Sequence, residues 1–143
     1  MKLQVRVLVV DDFKPWLDYL KSMFEHKAGM IVVGTALDGC EAISQAQALQ
    51  PDLILMDISL PRLNGIEATR EIIRLLPDAK IIFVSQHKDP AVVQAAISSG
   101  GHGYVVKLDA GNELRSAIES VVKGQRYFSR GLLGLDLTES MEM

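Results

Sequence analysis

Asp52-Leu53-Ile54-Leu55-Met56-Asp57-Ile58-Ser59-Leu60-Pro61-Arg62-Leu63-Asn64-Gly65 is the stretch that decides the fold. Leu53 to Met56 are apolar without a break, so they lack the alternation of a strand with one wet face. The run stops at an acid, Asp57. A proline-containing loop follows, and Asn64-Gly65-Ile66-Glu67 starts a helix that faces inward through Ile66, Ile72, Ile73 and Leu76. A short apolar strand feeding a helix is the unit of a parallel sheet covered on both sides.

The same unit recurs in both directions. Upstream, Arg6 to Val10 is an apolar run that stops at Asp11-Asp12. Trp16, Leu17, Leu20, Met23 and Phe24 then fall at helical spacing. Ile31 to Ala36 is β-branched and strand-like, and Asp38-Gly39-Cys40-Glu41 is an N-cap with an acid three residues on. Ala42, Ile43, Ala46 and Leu49 supply that helix's inner face. Downstream, Lys80 to Val84 is a strand ending in Ser85. Asp89-Pro90 caps a helix with proline at its first position, and Gly100-Gly101 stops it. Gly103 to Val106 is a strand ending in Lys107, and Leu114, Ala117, Ile118, Val121 and Val122 form the last helical stripe. Five strand–helix units cannot close an eight-stranded barrel, so the pattern predicts an open, doubly wound α/β fold with five parallel strands. From Gln125 the pattern breaks. Gly131 and Gly134 interrupt Leu132, Leu133, Leu135 and Leu137, and Glu139 to Met143 is charged and methionine-rich. The expected organisation is one domain over residues 1–124 and a linker or loosely docked tail over 125–143.

Composition agrees with one globular domain. The 143 residues are 48% hydrophobic and 23% charged, which excludes disorder over the whole chain. No apolar run approaches the ~20 residues of a membrane span, and the N-terminus has no signal-peptide pattern. A single cysteine, Cys40, cannot form an internal disulfide, so a reducing cytoplasm is expected. The net charge of −3 argues against a strongly basic nucleic-acid surface.

In a sheet of this kind the ligand site lies beyond the carboxyl ends of the strands. Those ends carry Asp11, Asp12, Asp57, Ser85 and Lys107. Three clustered carboxylates repel one another and call for a cation, and oxygen-only ligands suit Mg²⁺ or Mn²⁺. Cys40, His26, His87 and His102 share no zinc-ligand spacing. A carboxylate beside such an ion can attack a phosphoryl group, with Lys107 neutralising charge and Ser85 bonding a phosphate oxygen.

This set, in this order, resembles the receiver domain of two-component response regulators. The matching segments are Val7 to Asp12, Asp52 to Pro61 with Asn64-Gly65, Phe83-Val84-Ser85, and Gly103 to Lys107. The likeness spans roughly residues 4–124. It implies a flavodoxin-like (βα)5 fold with strand order 2-1-3-4-5. It implies that Asp57 is the phosphoacceptor, that Asp11, Asp12, Asp57 and the Ser59 backbone carbonyl hold the metal, and that Lys107 contacts phosphate. Ser85 and Tyr104 take the place of the family's switch pair, relaying the change to the face of helix 4, strand 5 and helix 5. The implied donor is a sensor histidine kinase, and the implied role is signalling, not turnover as an enzyme. Gly103 to Lys107 and the run around Gly124 to Ser129 are similar to the NarL/FixJ subfamily. Members of that subfamily can dimerise on phosphorylation and bind DNA through a helix-turn-helix, which this chain's length does not accommodate.

Two positions depart from the family pattern. Leu108 stands where proline usually follows the lysine, so a trans or strained bond is expected there. Gln86 stands where a small residue usually follows Ser85, and its bulk is expected to shield the site. Taken singly, the residues have blander meanings. Asp11 and Asp12 suit helix caps, Tyr104, Trp16 and Phe24 suit a core, Cys40 a partly buried thiol, His87 a solvated loop, and His26 and His102 the surface. A haloacid-dehalogenase-type phosphatase needs an acid two residues after its nucleophile, and Ser59 stands there. A pseudo-receiver acting only as an interaction domain is the remaining alternative.

Overall fold

The computed structural model describes residues 4–25 and 29–132. The elements run β1 (Val5–Val10), α1 (Lys14–Glu25), β2 (Met30–Ala36), α2 (Gly39–Leu49), β3 (Leu53–Met56), α3 (Gly65–Leu75), β4 (Lys80–Ser85), α4 (Pro90–Ser98), β5 (Gly103–Val106), α5 (Ala110–Val122) and β6 (Tyr127–Phe128). One parallel sheet holds all six strands in the order β2-β1-β3-β4-β5-β6. The chain steps outward from β1 to β2, then returns past β1 to β3. The switch point therefore lies between β1 and β3, as the sequence pattern requires.

Strand residues alternate between two apolar layers. Leu8, Val10, Ile54, Met56, Ile81, Phe83, Tyr104 and Val106 face α2, α3 and α4. Val7, Val9, Leu53, Leu55, Ile82, Val84 and Val105 face α1 and α5. Both faces are dry, which explains why the strands are apolar throughout. Asp38, Asn64 and Asp89 each cap a helix through a side-chain oxygen. No helix among the described residues is long and apolar enough to cross a membrane.

The sixth strand corrects the five-stranded expectation. Tyr127 and Phe128 pair with Gly103 and Tyr104, the Ser129 N–H donates to the Tyr104 carbonyl at 2.9 Å, and Leu132 is buried in the core. Residues 127–132 are thus packed on the sheet, not loosely docked. A two-residue strand is too short to show a period of two, which is why the sequence hides it. The leucines at 133, 135 and 137, the charged end and His26 lie outside the described residues. Smaller corrections follow from burial. Val122 is exposed although it was counted in the α5 stripe, because the period carries it past the buried arc. Cys40 is exposed. His102 is half-buried rather than fully at the surface: its ring Nδ1 accepts the Ile81 N–H at 3.1 Å, and burial, with Lys80 and Arg126 nearby, lowers its pKa.

Candidate phosphoryl-transfer site

Sheet register builds the site. Val10 pairs with Met56 at the ends of β1 and β3, and the Asp57 N–H donates to the Val10 carbonyl at 3.0 Å. Asp11 and Asp57 therefore leave adjacent strands side by side. Asp11, Asp12 and Asp57 each offer a carboxylate oxygen, and these atoms lie within 4.8 Å of one another. Asp11 and Asp57 are buried while Asp12 is exposed. From the end of β5, the Lys107 ammonium reaches to 2.6 Å from Asp11 Oδ2 and 3.7 Å from Asp57 Oδ2.

The Asn64-Gly65 pair has a steric cause. A Cβ at Gly65 would sit 1.9 Å from the Asp57 carbonyl oxygen, so only glycine lets α3 start against the Asp57 backbone. The Gly65 N–H donates to the Ile58 carbonyl at 2.9 Å and holds the loop in place.

Electrostatics set Asp57 apart. Its carboxyl is pushed up to about 6, first by burial and then by the Asp11 charge; Lys107 and the Ile58 N–H pull the other way, and Asp12 adds a smaller push. The Ile58 N–H donates to Asp57 Oδ1 at 2.9 Å. Asp11 Oδ1 takes the Phe13 N–H at 2.9 Å, whereas its buried Oδ2 accepts no hydrogen bond among the described residues and is ion-paired with the Lys107 ammonium at 2.6 Å. Three oxygen donors, one of them lacking a hydrogen bond, and a single cation against three acids form a set that suits a hard divalent ion. The cluster can hold a metal.

Ser85 and Tyr104 are joined through one loop residue. The His87 N–H donates to Ser85 Oγ at 3.1 Å, and the Tyr104 hydroxyl donates to the His87 carbonyl at 2.8 Å. Tyr104 is fully buried against Phe83, and burial raises its phenol to about 12. The His87 ring also reaches Ser59 Oγ, with 2.7 Å between Nε2 and the oxygen. The sequence places His87 next to the site, either tuning access or solvated in a loop; it is half-buried and touches the segments that carry Ser59, Ser85 and Tyr104. No sequence period marks a loop residue of this kind. Trp16, expected in or near the core, is half-buried and packed against the α1/α5 layer, with its ring 5.2 Å from the Lys107 ammonium. Gln86 is exposed. Leu108 is 86% exposed, and with no cis bond among the described residues the Lys107–Leu108 bond is trans.

The family model for the response regulator receiver domain matches residues 7–119. The chain is 32% identical over 124 residues to the transcriptional regulatory protein DegU of Brevibacillus brevis, covering 87% of this chain and 52% of that protein. It is 38% identical over 125 residues to the response regulator UvrY of Escherichia coli O157:H7, covering 87% of this chain and 57% of that one. The chain thus spans between half and three-fifths of the length of these curated relatives. A crystal structure of a LuxR-family two-component response regulator from Aurantimonas sp. SI85-9A1 superposes with a TM-score of 0.89 at 31% identity, covering 98% of this chain and 99% of that one.

Proposed function

Because this chain belongs to the response regulator receiver domain family, we propose that it is a signalling switch that takes a phosphoryl group on Asp57. The observation that carries the reading is the acceptor's setting: a buried carboxylate between an acid pair and an ammonium, held at a switch point of the sheet. At neutral pH most of the Asp57 carboxyl is ionised, since its pKa of about 6 lies below 7. Its Oδ2, 3.7 Å from the Lys107 ammonium, attacks the phosphorus of a phosphohistidine on a sensor histidine kinase. The P–O bond forms as the P–N bond breaks, and the electron pair stays on the imidazole nitrogen. Lys107 neutralises charge on the transferring group, and the Ser85 hydroxyl donates to one of its oxygens. Asp11, Asp12, Asp57 and the Ser59 backbone carbonyl are the proposed ligands for Mg²⁺ or Mn²⁺. A bound ion of that kind would offset the negative charge that gathers between the carboxylates and the phosphoryl oxygens.

The new charge is roughly −1.5 to −2. A Ser85 drawn toward it pulls on the His87 N–H, and His87 holds the Tyr104 hydroxyl through its carbonyl. The pull thereby reaches β5 and the face formed with α4 and α5. Residues 125–143 would connect this receiver unit to an output module, through which a longer regulator would bind DNA and, on phosphorylation, dimerise. The setting of such a switch is the cytoplasm.

Acetyl phosphate with MgCl₂, read by intact mass, tests the reading. One phosphoryl group should be gained, and the gain should vanish in Asp57→Asn and without metal. No gain, together with no beryllofluoride adduct, would favour a pseudo-receiver.

A further inference from the structure

We propose that Trp16 is a positioning residue that fixes the Lys107 ammonium for phosphate contact through the face of its indole. This rests on the phosphoryl-acceptor reading above. The Lys107 Nζ stands 5.2 Å from the centre of the Trp16 ring, inside the ~6 Å range over which a cation is drawn to an aromatic face. Tyr19 packs on Trp16 with ring centres 5.3 Å apart, so the indole is braced from a neighbouring turn of α1. The Tyr19 hydroxyl in turn lies near Gly111, where a Cβ would be 3.3 Å from it, which ties this brace to the start of α5 just beyond Lys107.

The need for such a device is visible in the chain. A lysine ammonium is a point charge on a flexible four-carbon stem, without the built-in geometry of a guanidinium. Leu108, the next residue, points into solvent and restrains nothing. Asp11 Oδ2 at 2.6 Å competes for the charge with Asp57 Oδ2 at 3.7 Å. An ion pair alone would draw the ammonium to Asp11. The indole offers a third attraction that carries no net charge. It narrows the ammonium's range while leaving its N–H bonds for an incoming phosphoryl oxygen. The Lys107 side chain is only 17% exposed, and a drier setting strengthens each electrostatic contact.

The test uses the full chain and beryllofluoride with Mg²⁺, so that no kinase surface enters the result. Trp16→Leu keeps an apolar side chain and removes the ring; Trp16→Phe keeps a ring. Calorimetry should show Trp16→Leu binding beryllofluoride about two- to fivefold more weakly. Trp16→Phe should recover most of that loss, and Mg²⁺ affinity without beryllofluoride should match wild type in both. Equal affinities in all three proteins, or equal losses in Leu and Phe, would overturn the proposal. So would a parallel fall in Mg²⁺ affinity, which marks general distortion of the pocket. In the free protein, the Lys107 Cε protons should resonate upfield from the ring current in wild type and Trp16→Phe, and shift back in Trp16→Leu. That signal stands apart from the acceptor reading: a wild-type protein that forms no adduct would refute phosphoryl acceptance, while the resonance alone decides whether the indole holds Lys107.

Discussion

Two buried acids, Asp57 and Glu113, meet very different company. Glu113, in the first turn of α5, accepts from the Tyr127 hydroxyl at 2.8 Å, the Ser129 hydroxyl at 3.2 Å and the Arg130 N–H at 3.1 Å. Its oxygens are committed, and what they hold is the extension that carries β6 onto the sheet. Asp57 accepts one backbone N–H, faces two like charges and leaves its second oxygen to a lysine 3.7 Å away. A carboxylate whose bonding is complete is architecture. One left short of partners beside other acids remains available for chemistry.

The largest test of this contrast exchanges the two losses. Asp57→Asn should abolish phosphoryl uptake from acetyl phosphate, whereas Glu113→Ala should retain it, both read by intact mass. Uptake lost equally in both would erase the distinction. Stability should run the other way. Glu113→Ala leaves the Tyr127 hydroxyl and the Arg130 N–H without this acceptor, while Ser129 keeps Asp109 Oδ2 at 3.0 Å, and should cost about 1–3 kcal/mol in urea unfolding. Next is Gly65→Ala: its Cβ would meet the Asp57 carbonyl oxygen, so about 1–3 kcal/mol should be lost, with slower uptake because the acceptor's backbone must shift.

Removing the Asp57 charge should stabilise the metal-free fold. A carboxyl raised from 3.8 to about 6 takes up protons on folding, so its ionisation erodes stability as pH climbs through that window, and the loss is complete above it. Asp57→Asn should therefore gain about 1–2 kcal/mol at pH 7.5, with water at the pocket mouth screening part of the effect. That gain should shrink to nothing below pH 4. The smallest effect concerns His102, whose pKa is lowered by burial. Its neutral form supports the fold above the ordinary histidine pKa, and that support fades as pH falls through the lowered value. Between pH 7.5 and 5, wild type should lose more stability than His102→Asn, by under about 1 kcal/mol, measured by thermal melts.

Much of this contrast was legible in the sequence, and the reason is topological. Parallel strands bring their carboxyl ends to one edge, so acids, a serine and a lysine placed just after strands must converge. Asp11, Asp57, Ser85 and Lys107 could be found that way. Glu113 could not, because a polar residue in a helix's first turn is usually solvated. Its one hidden signal is its place four residues before Ala117, beside the buried stripe. Tyr127 and Phe128 gave no period. His87 acts through its backbone as much as its ring, and a backbone contact leaves no mark on residue type. Helical spacing places Trp16 in or near the core, where it packs, but does not show that its place in the first turn of α1 also puts it beside Lys107.

Borohydride trapping of the acetyl phosphate-treated protein tests the central claim most directly. The reagent reduces an acyl phosphate to an alcohol and marks a phosphorylated aspartate as homoserine, which peptide mass mapping then locates. The contrast between the two acids predicts homoserine at position 57 and at no other acid in the chain. Homoserine at Asp11 or Asp12, a reduced Glu113, or a chain left unmodified would contradict it.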